Sequence, residues 1–577
     1  MPEGRTRLAK GGEPRRRRRW LPRFLAVREF GEALSPHTAL LSLYALIVGV
    51  ASGYVALGLL ALIYRLTGLF FHGVWSGAAW SAADNHLGWW VILIPLIGGL
   101  PVGLMVYFWE PTLKGHGIPE AMEAVLIGKS MVRPRVALLK PLATALAIGT
   151  GGPFGAEGPI IQTGAALGSL FAQWRRLNVY DRRVLLAAGA AAGMAATFLA
   201  PLAGVMVGVE LIVFEFRARS FIPIALACAV ADAIAIHYRG AGPMFATPLF
   251  LLHSMSELAL FAVLGAICGL VGWGMTKALF WLENLFDKLP FKPVAIWGPV
   301  VGALLLGVIG YFFPQVFGTG YDTIRAMLNQ SPNQPPHGAP YALMGAGTLL
   351  RISAAKFWAL VISLGSGTTG GVFAPSLVIG GGVGAAFALG WHALFPAIAI
   401  SPPGFYALCA MAAVFGAVAR APFTAVIFLF ELSHDPAAVL PLLVCVMIAD
   451  GLMRLVSADS MMTEKLAKRG LIVSQDYTAP QLELWSTEIH ELMKPPAAGE
   501  PDWDAILKSR HYIEAAAGDS VAVTAHAMIK ARADWAVVVD ASAAGPPRPL
   551  GVVSIADILA LEDQMLNARD ARQRARA

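Results

Sequence analysis

Gly149-Thr-Gly-Gly-Pro-Phe-Gly-Ala-Glu157-Gly-Pro159 interrupts an apolar segment with five glycines, two prolines and one carboxylate. A second break follows the same scheme. Counted from Pro159 and from Pro375, glycines stand ten, eight and four residues before each proline (Gly149, Gly151, Gly155; Gly365, Gly367, Gly371) and five and nine residues after it (Gly164, Gly168; Gly380, Gly384). Further on, Met194-Ala-Ala-Thr-Phe198 echoes Met411-Ala-Ala-Val-Phe415. Ala200-Pro201 and Ala421-Pro422 are each followed, nine residues past the proline, by Glu210 and Glu431. The chain therefore reads as an internal duplication, with repeats at about 37–240 and 254–455.

Composition puts this duplication in a membrane. Only 14% of the 577 residues are charged, against roughly 25% in soluble domains. The apolar fraction is 56%, with 60 glycines beside it. A soluble enzyme, a collagen, a disordered chain and a disulfide scaffold are all excluded. The net charge of +7 comes from the first 28 residues, which hold ten Lys and Arg, including the run Arg15 to Arg19; the remainder carries 34 basic and 35 acidic groups. Residues 1–34 thus form a basic tail. It reads as a cytoplasmic anchor under the positive-inside bias, with contact to anionic lipid head groups as the sharper reading. An arginine run without interleaved aromatics does not suggest nucleic-acid binding. No cleaved leader is expected, since the tail runs into a full-length spanning segment. Cys228, Cys268, Cys409 and Cys445 lie far apart in apolar runs and read as small buried hydrophobes.

Apolar segments at about 37–63, 89–109, 254–282 and 295–312 are long enough to cross a hydrocarbon core of ~30 Å. Between 115 and 240, and again at 365–390 and 405–433, glycine and proline cut the segments short, so that they are not expected to span singly; a last segment ends near Leu455. Non-helical backbone is tolerated in a membrane only where protein buries it or where it lines an aqueous cavity. Two repeats with interrupted helices indicate a transporter whose substrate sits at the repeat interface. Past about 470, acidic and polar residues return, and 471–577 reads as a soluble domain.

Each break sets glycines ahead of a proline in what would be a helix's first turn: Gly117-Ile118-Pro119, Glu157-Gly158-Pro159 and Phe373-Ala374-Pro375. Proline fits there because its missing N–H would have no intrahelical partner. The amides that remain free, together with the positive end of the helix dipole, make an anion site. No Lys or Arg occurs in these motifs, so an anion would be held by dipoles, weakly enough to leave again. Glu157 is the ionisable group among them, and an intramembrane acid is a functional candidate. Its carboxylate can take the place of the mobile anion, which makes it a gate. The plainer alternative is a carboxylate that merely stabilises its own helix.

Gly-Ala-Glu157-Gly-Pro, Gly-His116-Gly-Ile-Pro and Gly-Val-Phe373-Ala-Pro, in this spacing and with Ala-Pro-Leu-Ala-Gly at 200–204, resemble the anion-pathway motifs of the CLC chloride channel and transporter family over about residues 35–470. The resemblance implies an all-α polytopic fold of two inverted repeats of broken, tilted helices, about 18 in all. It implies a homodimer in membrane lipid, a separate chloride pathway in each subunit, no required cofactor or metal, and no enzymatic activity. The location implied is a bacterial-type inner membrane, with both termini cytoplasmic. Glu157 would be the gate of a voltage-gated chloride channel type, and the amides of Val372 and Phe373 would hold the central chloride. The anion-binding set would comprise His116, Gly117, Ile118, Ala156, Gly158, Val372, Phe373, Ala374 and Met462.

Three departures qualify that picture. His116 stands where the family usually has a serine; a neutral imidazole still offers one N–H, or the ring is turned aside and only its backbone serves the pathway. A metal role shared with Glu120 lacks further ligands. Met462 stands where a pathway tyrosine is usual. Leu211, next to Glu210, falls at the inner proton-passing glutamate of the exchangers. Leucine cannot carry protons, which favours a channel or weakly coupled transporter; a chloride/proton antiporter and a variant preferring nitrate or fluoride are the alternatives. Glu210 and Glu431 read as structural, bonded to free backbone groups. An intramembrane protease is excluded, since neither His-Glu-x-x-His nor Gly-x-Ser-Gly occurs.

Ile489-His-Glu-Leu-Met-Lys-Pro495, Ala533-Asp-Trp-Ala-Val-Val-Val-Asp540 and Gly551-Val-Val-Ser-Ile-Ala-Asp-Ile-Leu559 resemble one CBS module, a βαββα unit often found behind CLC membrane bodies. Ser554 and Asp557 match positions that meet a nucleotide's phosphate and ribose in such modules. A purely structural dimer contact is the other reading of this tail.

Overall fold

Ser35 accepts a hydrogen bond from the Thr38 amide (3.1 Å) and so caps a 37-residue apolar helix, α1, Pro36–His72. In this computed structural model residues 35–126, 128–288, 290, 292–330, 344–457, 459–468, 489–494, 512–519, 521–540 and 548–561 are described; the basic tail 1–34 lies outside them. The first repeat continues with α2 (Ile94–Phe108), α3 (Ile118–Leu126), α4 (Pro134–Gly149), α5 (Glu157–Trp174) and α6 (Val179–Phe198). It closes with α7 (Pro201–Met206), which runs into the π-helical turn Val207–Val213, and α8 (Ala218–Arg239). The second repeat returns the same series: α9 (Leu258–Asp287), α10 (Val294–Phe312), α11 (Tyr321–Leu328), α12 (Ala346–Gly365), α13 (Phe373–Leu394), α14 (Pro403–Ala419), α15 (Pro422–Ser433) and α16 (Val439–Val456). A short α17 (Glu464–Lys468) follows. Each short helix, α3 or α11, thus has its counterpart eight elements away.

Among the described residues, eight helical segments are long and apolar enough to cross a membrane, and the chain is a multi-pass membrane protein of inverted repeats. Two of the eight, Ala218–Arg239 and Phe373–Leu394, fall where only short segments were expected. Pro223 lies in the second turn of α8 and does not end it. In α13 the glycines are contacts and not breaks: a Cβ at Gly380 would stand 2.4 Å from the Ala410 carbonyl oxygen, and one at Gly384 2.3 Å from that of Tyr406. Gly164 and Gly168 bring α5 equally close to Gly189 and Leu185 of α6. Small residues let membrane helices pack at this range, where dispersion contacts substitute for a hydrophobic drive. The four cysteines are buried and unpaired.

The two repeats also complete each other. Glu431, at the end of α15, accepts from the amides of Leu202 and Ala203 at the start of α7 (2.9 and 2.7 Å). Glu210 accepts from Phe423 and Thr424 at the start of α15 (3.4 and 2.7 Å), and from the Thr424 hydroxyl (2.6 Å). These are the backbone bonds expected of the two glutamates, and each joins one repeat to the other.

Past α17, β1 (Tyr512–Ala516), α18 (Val521–Ala531), β2 (Trp535–Asp540), β3 (Arg548–Ser554) and a helical stretch at 555–561 follow the expected strand–helix–strand–strand–helix order. β1 pairs parallel with β2, and β2 antiparallel with β3. The stretches 471–488 and 495–511 of the expected soluble domain lie outside the described residues. Replacing Glu431 with Ala leaves two amides unsatisfied in the interior and should cost about 2–4 kcal/mol. The midpoint of thermal unfolding in detergent should fall accordingly; an unchanged midpoint would show that these bonds contribute nothing.

Candidate functional site

Four glycine-rich loops meet inside the membrane body. The Gly115 amide donates to the Thr368 carbonyl (3.0 Å) and that of Gly370 to Gly115 (3.4 Å); Gly155 and Gly371 exchange two bonds (3.0 and 2.9 Å); the Gly318 amide donates to Gly151 (3.2 Å). Contacts this close exclude side chains. A Cβ at Gly158 would stand 1.9 Å from the His116 carbonyl oxygen, and one at Gly155 1.6 Å from Glu157 Oε2. The loops therefore start α3, α5 and α13 at one place, and the first amides of each have no partner within their own helix.

Glu157 is fully buried, and neither of its carboxylate oxygens has a hydrogen-bond partner among the described residues. The carboxylate turns back toward its own amide and that of Ala374, with the Tyr321 hydroxyl and the Lys356 ammonium within electrostatic reach. An unsatisfied buried acceptor costs about 1–3 kcal/mol, so the group stands where a better-fitting anion can replace it. The contrast with α7 and α15 is informative: there, carboxylates of this chain fill the helix starts completely.

The remaining expected site residues divide into two sets. Gly117, Ile118, Ala156, Gly158, Val372, Phe373 and Ala374 all lie in or directly after the converging loops and are buried. The Phe373 ring packs 4.2 Å from that of Phe415. His116 is 5% exposed and its Nδ1 has no partner. Its ring opens on a cavity shared with Lys114, Glu283, Met461 and Lys465. Two ion pairs frame that cavity, Lys114–Glu283 at 3.2 Å and Lys465–Glu120 at 3.1 Å. Met461 lines it; Met462 is fully buried, its amide donating to Ser460 Oγ (3.2 Å). Leu211 is buried and apolar beside the engaged Glu210.

Two cations escaped the reading of the motifs. Lys140 on α4 and Lys356 on α12 are fully buried. Lys140 Nζ donates to the carbonyls of Leu113 and Gly115 (2.8 and 3.1 Å), and Lys356 Nζ to those of Val316 and Gly318 (2.8 Å each). Each Nζ holds the loop ahead of a short helix by its carbonyls. The signal was available: the two lysines are 216 positions apart, as are Pro159 and Pro375.

In the three-stranded C-terminal unit, Ser554 Oγ and its amide both donate to Asp557 Oδ2 (2.7 and 3.0 Å), and Ser554 Oγ accepts from the Asp557 amide (3.1 Å). This is a reciprocal helix cap. Lys494 adds a bond to Asp557 Oδ1 (2.6 Å). Partial burial pushes the Asp557 carboxyl up, but these bonds outweigh it and hold it below the usual carboxylate range.

The family model "Voltage gated chloride channel" matches residues 98–454. A putative chloride channel protein ClcB-like of Ralstonia nicotianae is 30% identical over 63% of this chain and 82% of its own length. Chloride channel protein CLC-f of Arabidopsis thaliana is 31% identical over 72% of this chain, which spans about half, 53%, of that relative. The crystal structure of a slow cyanobacterial Cl−/H+ antiporter superposes with a TM-score of 0.62 at 26% identity, covering 76% of this chain and 98% of that one. Replacing Gly158 with Ala should force the starts of α3 and α5 apart and abolish anion flux in liposomes. Gly58→Ala, whose added Cβ meets nothing within 4 Å, should leave flux intact; equal fluxes in the two variants would tell against the loop junction as the site.

Proposed function

Because this chain belongs to the voltage-gated chloride channel family, the CLC family, we propose that it conducts chloride through a pathway in each subunit of a homodimer, gated by Glu157. The observation that carries this reading is the fully buried, unpartnered Glu157 carboxylate among the starts of three helices. A chloride entering from either side gives up water; the amides at Phe373, Ala374 and Gly158 offer donors in its place, weakly enough for the ion to leave again, and the lysines behind the loops hold them in position. Protonated or displaced, the Glu157 side chain leaves the ion its place. Ionised, it occupies that place and blocks. We further take residues 35–470 as the membrane domain and 471–577 as a cytoplasmic CBS-like domain, in a bacterial-type inner membrane.

A channel is favoured because Leu211 offers no proton carrier on the inner side. Proton-coupled exchange is the second reading, supported by the likeness to a Cl−/H+ antiporter. Proteoliposomes carrying a pH electrode separate the two: a channel passes chloride without stoichiometric proton movement, and a reversal potential that shifts with pH at fixed chloride would establish coupling. In the same liposomes, Glu157→Gln should give flux that no longer varies with pH, whereas a retained pH profile would remove Glu157 from the gate. His116→Ser should alter the permeability ratios among chloride, nitrate and fluoride, and identical ratios would place that ring off the pathway.

A further inference from the structure

Glu157 is not alone in lacking a partner at this junction. Gly318-Thr-Gly320 in the second repeat is the counterpart of Gly115-His-Gly117 in the first, and α11 begins directly after it with Tyr321. Two sets of bonds fix where α11 starts: the Gly318 amide bonds the loop that leads into α5, and Lys356 holds the Val316 and Gly318 carbonyls; a Cβ at Gly320 would lie 2.9 Å from Val378 Cγ2. The Tyr321 ring is set edge-on to Phe198 at 6.4 Å and tilted against Phe245 at 6.0 Å. The side chain is 6% exposed, and its hydroxyl has no hydrogen-bond partner among the described residues.

A phenol donor and a carboxylate acceptor, from opposite repeats, thus stand within reach of each other, and neither makes a well-formed hydrogen bond among the described residues. Burial of a lone hydroxyl is costly, and the acceptor within its reach is the Glu157 carboxylate. The charged and titratable groups around the pair are Lys356 from α12, Tyr64 from α1, Arg239 at the end of α8 and Arg325 one turn along α11. Arg239 is exposed and Arg325 partly so, the latter paired with Asp322 at 3.0 Å. We propose that Tyr321 is an anion-binding residue of the pathway: its hydroxyl donates a hydrogen bond to the chloride that takes the place of the Glu157 carboxylate. The chain thereby recovers, from the second repeat, a hydroxyl donor that neither His116 nor Met462 provides.

This inference rests on Glu157 as the gate, so the test carries both residues. Tyr321→Phe keeps the ring and its contacts while removing one oxygen. Chloride binding to the full-length protein, followed by titration calorimetry in detergent, should weaken about tenfold, the loss of one hydrogen bond to a charged group. In liposomes nitrate should gain on chloride, because the more strongly hydrated ion depends more on the donor. The same loss should appear in a Glu157→Gln background, where no carboxylate is left to be held. Loss confined to the background with Glu157 intact would overturn the assignment, since Tyr321 would then serve the side chain and not the ion. Unchanged binding and permeability in Tyr321→Phe, with Glu157→Gln altering transport, overturns Tyr321 and leaves the gate standing; no change in either variant removes both.

Discussion

Two reciprocal backbone bonds between Gly155 and Gly371 tie the start of α5 to the start of α13, and the rest of the pathway is arranged around that pair. The bonds require that no side chain intervene. Glycine there serves the approach of main chain to main chain, which leaves helix-start amides side by side in a buried region. In bulk solvent such amides would be hydrated and of little use to an ion. Buried and held in place, they are a fixed field that needs no rearrangement when the ion arrives.

The same principle explains why only some helix starts in the membrane body read as sites. Each leaves its first amides without a partner in its own helix, yet α1 is capped by Ser35, and α7 and α15 are closed by Glu431 and Glu210 with short bonds. At α5 the local carboxylate makes no such bonds. A filled helix start is a structural joint; an unfilled one beside a poorly held carboxylate is a place for exchange. Lys140 and Lys356 serve the opposite polarity, gathering carbonyl oxygens that the tight loops would otherwise leave exposed to a passing anion.

The duplication, the three Gly-Pro breaks and the role of Glu210 and Glu431 were legible because spacing along the chain carries them. The lysines were harder to see: each sits mid-helix in an apolar run, and only its distance from its twin ties it to a loop some 25 or 38 residues away. Gly318-Thr-Gly320 was missed because Asp322 replaces the proline that marks the other breaks. Segment length was misjudged at α8 and α13, where glycine and proline proved compatible with unbroken helix. Ser554 and Asp557 illustrate the reverse case: a spacing that fits a ligand contact also fits a helix cap, and the cap accounts for their bonds.

The crossed caps bear on how the chain is made. Leu202 and Ala203 leave the ribosome 229 and 228 residues ahead of their acceptor, Glu431, an interval of roughly 10–50 s at ordinary elongation rates. Throughout it, the first half carries bare peptide donors that lipid cannot satisfy. Half of this molecule is therefore not a smaller transporter awaiting a twin, and final insertion waits on translation of the other half.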